Sequence, residues 1–192
     1  MFLEHTIGST LLNMRAVRLP AAVLLLGVLM PVLLAGCGPD GVEPKAWVKS
    51  VCTTLGPWRA TIADLTAKSQ EQLKAATTPP QIKTNIVELL TGAESASEQA
   101  RAGVQGAGVP AVDDGKGVAE QFTASLSKAR DAYGTARRTV AGLPTEDAKT
   151  FYARMGDAFA VLKSDYDRSA IDPARVGPPA LQEAFEEVPE CR

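Results

Sequence analysis

Histidine is almost absent from this sequence. The chain of 192 residues contains one histidine, His5, close to its start. A domain formed by the rest of the chain cannot run a Ser-His-Asp or Cys-His relay, because both relays use an imidazole as the base. It also lacks the imidazole ligands that most catalytic zinc sites require. The commonest hydrolase mechanisms are therefore excluded for a domain that begins after His5.

Aromatic residues are scarce, and no charge sign dominates. Phe, Trp and Tyr make up 5% of the residues, and the formal net charge is −2 at pH 7. Proteins that bind nucleic acid or an anionic membrane surface through charge are normally basic. We therefore expect no nucleic-acid partner, and we expect a slim core with few large side chains.

One long apolar run lies near the N-terminus. Residues 19–34 form an almost uninterrupted apolar stretch of 16 residues, preceded by Arg15 and Arg18. A membrane-spanning helix needs roughly 20 such residues, so this stretch is short for a span. Its length and its basic flank are typical of a signal peptide.

The apolar run ends in the sequence Leu34-Ala35-Gly36-Cys37. Small residues followed by a cysteine resemble the lipobox of bacterial lipoproteins. The resemblance implies that Cys37 carries a diacylglycerol and that a signal peptidase cuts between Gly36 and Cys37. The protein would then be anchored by lipid to the extracytoplasmic face of the cell membrane. An uncleaved membrane anchor and ordinary secretion are the alternatives.

The first thirteen residues make a poor signal-peptide start, since they carry Glu4 and no Lys or Arg. We expect translation to begin at Met14. Cleavage would remove His5 and would change the net charge from −2 to −3, because one acid and two arginines are lost. The predicted organisation is a signal peptide at 1–36, a lipidated tether at 37–43 and one helical domain at 44–192.

Two cysteines remain once Cys37 is assigned to lipid. Cys52 lies near the start of the domain, and Cys191 lies one residue from the end of the chain. On the oxidising side of a membrane, such an even pair predicts a disulfide. Two free, buried thiols are the alternative.

From residue 44 onward, apolar residues recur at three- and four-residue steps with turn signals between them. This pattern predicts an all-α fold, an up-down four-helix bundle with a short C-terminal helix, stapled by the disulfide. The predicted helices are centred on Pro44–Ala76, Ile82–Val104, Val118–Val140, Phe151–Tyr166 and Ala180–Glu187.

Several helix boundaries carry specific signals. Gly56-Pro57 predicts a kink or a short break in the first helix, because proline lacks a backbone donor and clashes with the preceding turn. The region Gly106–Gly115 is the clearest loop. Thr145 is the predicted N-cap of the fourth helix.

Five aromatic residues are the candidates for a ligand or partner surface: Trp47, Trp58, Phe122, Tyr133 and Phe159. For the two tryptophans core packing is the favoured role, and a ligand or partner surface is the alternative. Trp47, close to the attached end, is also a candidate for contact with the membrane interface. Acidic residues near Gly115 do not have the spacing of a calcium loop, and we predict no catalytic residues, no metal site and no cofactor.

The leading functional hypothesis is a non-enzymatic lipoprotein that acts as an interaction or envelope-maintenance module, with an unknown envelope protein as partner. The domain also resembles the uncharacterised small secreted helical lipoproteins of high-GC Gram-positive bacteria, which pair an early cysteine with one at the C-terminus. That resemblance rests on Cys52 and Cys191 and implies no activity. A bundle that binds a small apolar ligand is the second hypothesis, and an enzyme that uses buried carboxylates or a Lys-activated Ser is the third.

Overall fold

The structure, a computed structural model, describes residues 41–171 and 175–192. The predicted signal peptide, its cleavage site at Gly36 and Cys37, Met14 and the first part of the tether lie outside the described residues. The described part is all-helical, as predicted. Its elements are α1 (Pro44–Ala75), α2 (Pro79–Gly106), α3 (Gly115–Ala141), α4 (Ala148–Asp167), α5 (Pro179–Glu187) and a 3₁₀ turn (Pro189–Cys191).

A side chain near the start of each of the first two helices accepts hydrogen bonds from backbone amides that have no partner within the helix. The Glu43 carboxylate accepts hydrogen bonds from the amides of Lys45 and Ala46, at 3.0 and 2.8 Å. The Gln81 side chain accepts from the amide of Thr78 at 3.1 Å. Pro44 and Pro79 stand at the first helical position, where the missing amide costs nothing.

The predicted N-cap of the fourth helix was wrong. The helix is capped by Asp147 and not by Thr145, because the Asp147 carboxylate accepts from the Thr150 amide at 2.8 Å. Of the two alternatives predicted for Gly56-Pro57, the break is absent, because the first helix runs through Pro57. Pro57 has no N–H to donate to the Thr53 carbonyl four residues earlier, and Thr53 is exposed, so solvent can hydrogen-bond that carbonyl.

The helices pack in sequence order, α1 on α2, α2 on α3 and α3 on α4. Small residues line the α2–α3 seam, which lets the two backbones approach. Buried along this seam are Ala93, Ala96 and Ala100 of α2 and Ala129, Ala132 and Ala136 of α3. A β-carbon added at Gly134 would lie 2.6 Å from the Glu94 carboxylate, so a larger residue does not fit there without a shift.

The core consists of two clusters stacked along α2 and α3. The first cluster is completed by the start of α1 and by α5, and it contains Trp47, Val48, Val51, Leu55, Val104, Val118, Phe122, Leu126, Leu181, Ala184 and Val188. The second is completed by α4, and it contains Ile86, Leu90, Ala136, Val140, Leu143, Phe151, Met155 and Ala158. The short helix α5 therefore closes one half of the core, and α4 closes the other half.

A disulfide joins Cys52 to Cys191, as predicted, with an S–S distance of 2.02 Å. It fixes the end of the chain against the third turn of α1. Lys45 and Lys49 of α1 add ion pairs to Glu187 and Glu190, at 2.5 and 3.0 Å. These pairs are largely exposed and contribute little, so the disulfide and the apolar contacts of α5 hold the C-terminal segment.

Glu98 is the centre of an ion-pair network on the α2–α3 seam. Its carboxylate accepts from Arg101 on the same helix and from Arg130 on α3, both at 2.7 Å. These two hydrogen bonds lower the pKa of Glu98 from 4.5 to about 2, and the bond from Arg101 has the larger effect.

Removal of the disulfide should destabilise the fold. The bridge closes a loop across 139 positions, for which the chain-entropy model gives a stabilisation of roughly 5 kcal/mol. We expect the double variant Cys52→Ala and Cys191→Ala to unfold at lower denaturant concentration, with a free energy of unfolding smaller by up to about that amount. Reductant should lower the stability of the wild-type protein and leave the variant unchanged. Equal stability of the two proteins without reductant would contradict the bridge.

The low pKa of Glu98 makes its contribution to stability dependent on pH. Because the pKa of Glu98 is lower in the folded protein than in the unfolded chain, its contribution to the free energy of unfolding is complete above pH 4.5. That contribution is lost as the pH falls from 4.5 towards 2. Carboxyl NMR titration should therefore give Glu98 a pKa near 2 in the wild-type protein and a higher value in Arg101→Gln. Arg154→Gln, on α4, is the control and should leave the titration of Glu98 unchanged. A pKa near 4.5 in the wild-type protein would show that the network does not form.

Candidate functional site

The five candidate aromatic residues do not form one surface. Trp47 is fully buried, its indole nitrogen donates to the Gly108 carbonyl at 2.9 Å, and its ring packs edge-on against Phe122 and Phe185. Core packing, the favoured role of Trp47, is therefore confirmed, and the alternative of a ligand, partner or membrane surface was wrong. The reason is that α5 covers the side of α1 on which this residue lies.

Trp58 and Phe122 do lie together, at a pocket between α1, α3 and the end of α4. The pocket has a volume of about 200 Å³. Its walls come from three segments of the chain. They comprise Leu55, Trp58 and Arg59 of α1, Phe122, Ser125, Leu126 and Ala129 of α3, and Tyr166, Ser169, Ala170 and Ile171 at and after the end of α4. We call this site the junction pocket, because it lies at the end of α4, next to the core cluster that α5 completes.

Tyr133 and Phe159, the other two candidates, do not line the junction pocket. Both pack against the second core cluster. Tyr133 lies beside Tyr166, with ring centres 5.7 Å apart, and burial raises the pKa of the Tyr133 phenol. Tyr133 therefore positions Tyr166, the pocket residue, from behind.

The aromatic wall of the junction pocket is held in place by hydrogen bonds. The Trp58 indole nitrogen donates to the Ser97 hydroxyl at 3.1 Å, and that hydroxyl donates to the Ala93 carbonyl at 2.8 Å. Opposite, the Ser125 hydroxyl donates to the Ser169 carbonyl, and the Ser169 hydroxyl donates to the Tyr166 carbonyl at 2.6 Å. In the described part of the chain, no buried side-chain nitrogen or oxygen lacks a partner.

Arg59 is the charged residue among the described residues that line the junction pocket. It is exposed, and none of the ion pairs found between described residues involves it. Sequence reasoning missed Arg59, Ser169 and Ile171. The position of Arg59 directly after Trp58 was the available signal, but neither helix periodicity nor composition indicates which residues follow α4 into the same pocket.

A second concave region, the α3–α4 groove, lies on the side of α4 that faces α3. Its volume is about 310 Å³, and Ala132, Ala136, Leu143, Ala158, Val161 and Leu162 supply its apolar surface. Val161 is 54% exposed, and Tyr152, on the same helix, is 48% exposed. Charges of both signs edge the groove, from Arg154, Asp157 and Asp165.

Residues 41–171 and 175–192 offer neither a metal cluster nor a membrane-spanning helix. Within these ranges, no group of three or more His, Cys, Asp or Glu side chains is arranged to hold a metal ion. None of the helices there combines the length and the apolar character that crossing a membrane requires. Cys37, the predicted lipidation site, lies outside these ranges.

Comparison with known proteins adds no assignment. No protein family, no curated protein and no solved structure matches this chain.

Proposed function

We propose that this protein is a lipid-anchored, extracytoplasmic binding module without enzymatic activity, held close to the outer face of the cell membrane and docking an envelope protein. The lipobox at Leu34-Ala35-Gly36-Cys37 supplies the anchor. The single observation that supports this placement close to the membrane is the backbone pairing of Val42 with the loop between α2 and α3.

Val42 is held on this loop by two backbone hydrogen bonds. Its amide donates to the Val109 carbonyl at 2.8 Å, and its carbonyl accepts from the Ala111 amide at 2.7 Å. The preceding Gly41 has φ +153°, and a β-carbon there would lie 2.7 Å from the Val109 carbonyl oxygen. A glycine therefore allows the chain to pass close to the loop.

The pairing of Val42 shortens the tether. Glu43, the last residue of the predicted 37–43 tether, is the cap of α1. Gly41 is four residues from Cys37, a distance of at most about 14 Å in a fully extended chain. With Cys37 in the lipid layer, the α2–α3 loop would lie next to the membrane surface.

The disulfide supports an extracytoplasmic location. Disulfides form and persist on the oxidising side of a membrane and are rare in the reducing cytosol. Cys52 and Cys191 are joined, which leaves Cys37 as the cysteine available for lipid. Both features agree with export across the membrane.

The α3–α4 groove supports the docking part of the proposal. Its exposed apolar residues, Val161 above all, lie on α4, which packs mainly on α3. An apolar surface edged by charges of both signs fits a protein partner better than a polyanion, whose binding requires basic residues.

The anchor is tested by replacing Cys37. Cells with the wild-type protein should hold it in the membrane fraction, and its N-terminal peptide should begin at a lipid-modified Cys37. Cys37→Ala should carry no lipid and should leave the membrane fraction. Cys52→Ala is the matched control, because it removes a cysteine of the domain and should keep the lipid. Membrane retention of Cys37→Ala would contradict the proposed anchor.

The orientation and the docking surface are tested together by photo-crosslinking in cells. A photoreactive residue at Val109, in the α2–α3 loop, should capture lipid, because the short tether holds this loop at the membrane. The same residue at Val161 should capture one envelope protein reproducibly. Ala67, exposed on α1, is the control position. Equal labelling from Val161 and Ala67 would remove the groove as a docking surface, and lipid captured at Ala67 but not at Val109 would contradict the orientation.

One observation favours a second candidate function, the binding of a small ligand. The junction pocket has a volume of about 200 Å³, and its walls combine aromatic and aliphatic side chains with two serines and an arginine. Ligand sites are typically concave and lined by apolar side chains with a few polar groups. This pocket contains both kinds of group, with a larger polar share than is typical.

A further inference from the structure

We infer that the junction pocket binds a small organic acid, whose single-ring apolar body lies between Trp58 and Phe122 and whose carboxylate pairs with Arg59. This inference rests on the second candidate function and adds to it the chemical class of the ligand. It is independent of the lipid anchor and of the α3–α4 groove.

The size of the pocket limits the ligand. An apolar cavity of about 150 Å³ accommodates benzene, and the junction pocket measures about 200 Å³. One ring with a short side chain therefore fits, whereas a long acyl chain or a fused polycyclic molecule does not. The aromatic side chains of Trp58, Phe122 and Tyr166 on the walls suit a flat ring, which they can meet edge-on or with an offset stack.

The shape of the pocket is fixed before a ligand binds. Trp58 is held by Ser97, and the segment after α4 is held to α3 by the bond from Ser125 to the Ser169 carbonyl. Phe122 is stacked on Phe185, with ring centres 5.8 Å apart, so α5 supports it from behind. A preorganised pocket binds with a smaller entropic cost than one that must order its walls.

The charge of the pocket selects the ligand. The Trp58 indole and the two serines of the walls are already hydrogen-bonded within the protein. Arg59 has no hydrogen-bond or ion-pair partner among the described residues, so its guanidinium is the donor group available at the rim. A guanidinium presents its N–H groups in a planar fork that matches a carboxylate, and no acidic side chain lies among the described residues of the pocket. The α3–α4 groove has both positive and negative side chains at its edge, so its charge does not favour an anionic ligand.

The test titrates the full-length protein, purified from membranes in detergent micelles, with three probes that share one apolar body. Phenylpropionate is the acid, phenylpropanol the neutral analogue and phenylpropylamine the cation, and empty micelles are titrated in parallel to subtract partitioning. A probe of about eleven non-hydrogen atoms should bind in roughly the submillimolar range. The indole N–H signals of the two tryptophans are followed by NMR, so that Trp58 reports on the pocket and Trp47 serves as the internal control.

The acid should shift the Trp58 signal in a saturable way and leave Trp47 largely unchanged. Arg59→Gln should weaken the binding of the acid by about tenfold and leave the binding of the alcohol unchanged. Arg154→Gln, the matched control on α4, should alter the binding of neither probe. Ala170→Phe, a change at an exposed position of the pocket rim, should abolish the shift in a protein that keeps its helical circular dichroism.

Other results would overturn the inference in distinguishable ways. Equal binding of acid and alcohol, or of acid to wild type and Arg59→Gln, would remove the acid selectivity and leave an apolar ligand pocket. No saturable shift of Trp58 with any probe would remove both the inference and the second candidate function. Neither result would affect the membrane anchor, which is tested by fractionation of Cys37→Ala.

Discussion

The close approach of α2 and α3 determines where the other elements can lie. Alanines and Gly134 line this seam, and the ion pairs of Glu94 with Arg137 and of Glu98 with Arg130 close it at its edges. Both core clusters are built along these two helices. Because the seam has little volume to bury, each cluster needs further partners. The start of α1 and α5 supply them for one cluster, and α4 and Leu73, near the end of α1, supply them for the other.

The junction pocket lies at the end of α4. α4 has 20 residues, whereas α1, α2 and α3 have 32, 28 and 27. Residues 168–171, directly after α4, are not helical, and Ser169, Ala170 and Ile171 line the pocket. Side chains that do not follow a regular helical stripe fill space less completely than those of packed helices. The disulfide to Cys52 and the stacking of Phe185 on Phe122 hold α5 in place, so the incomplete filling persists as a pocket of fixed shape.

The sequence was sufficient for the features that depend on local spacing and not for those that depend on which helices meet. Helix existence, the all-α bundle and the Cys52–Cys191 pair followed from periodicity and from the cysteine count. The prediction that Trp58, Phe122, Tyr133 and Phe159 form one surface was wrong. Residues of one stripe on α3 contact different helices at different positions along its length, so Phe122 and Tyr133 lie in different surroundings. Core packing was the favoured role of Trp47, but a surface role stayed open, since no periodicity reveals that α5 covers this side of α1. Asp147 replaced Thr145 as a cap because either side chain can accept the amide bond, and only the backbone path decides between them.

The distance between the tether and the junction pocket bears on how a ligand would arrive. The backbone pairing of Val42 fixes the end of the bundle that the proposed lipid anchor would hold, and Trp58 lies fourteen residues beyond Pro44 on α1. At the helical rise, this separation corresponds to about 21 Å along the helix axis. A bundle standing on its tether would thus carry the pocket in the aqueous layer above the lipid headgroups. A ligand would enter from water, which favours a small soluble acid over a lipid extracted from the bilayer.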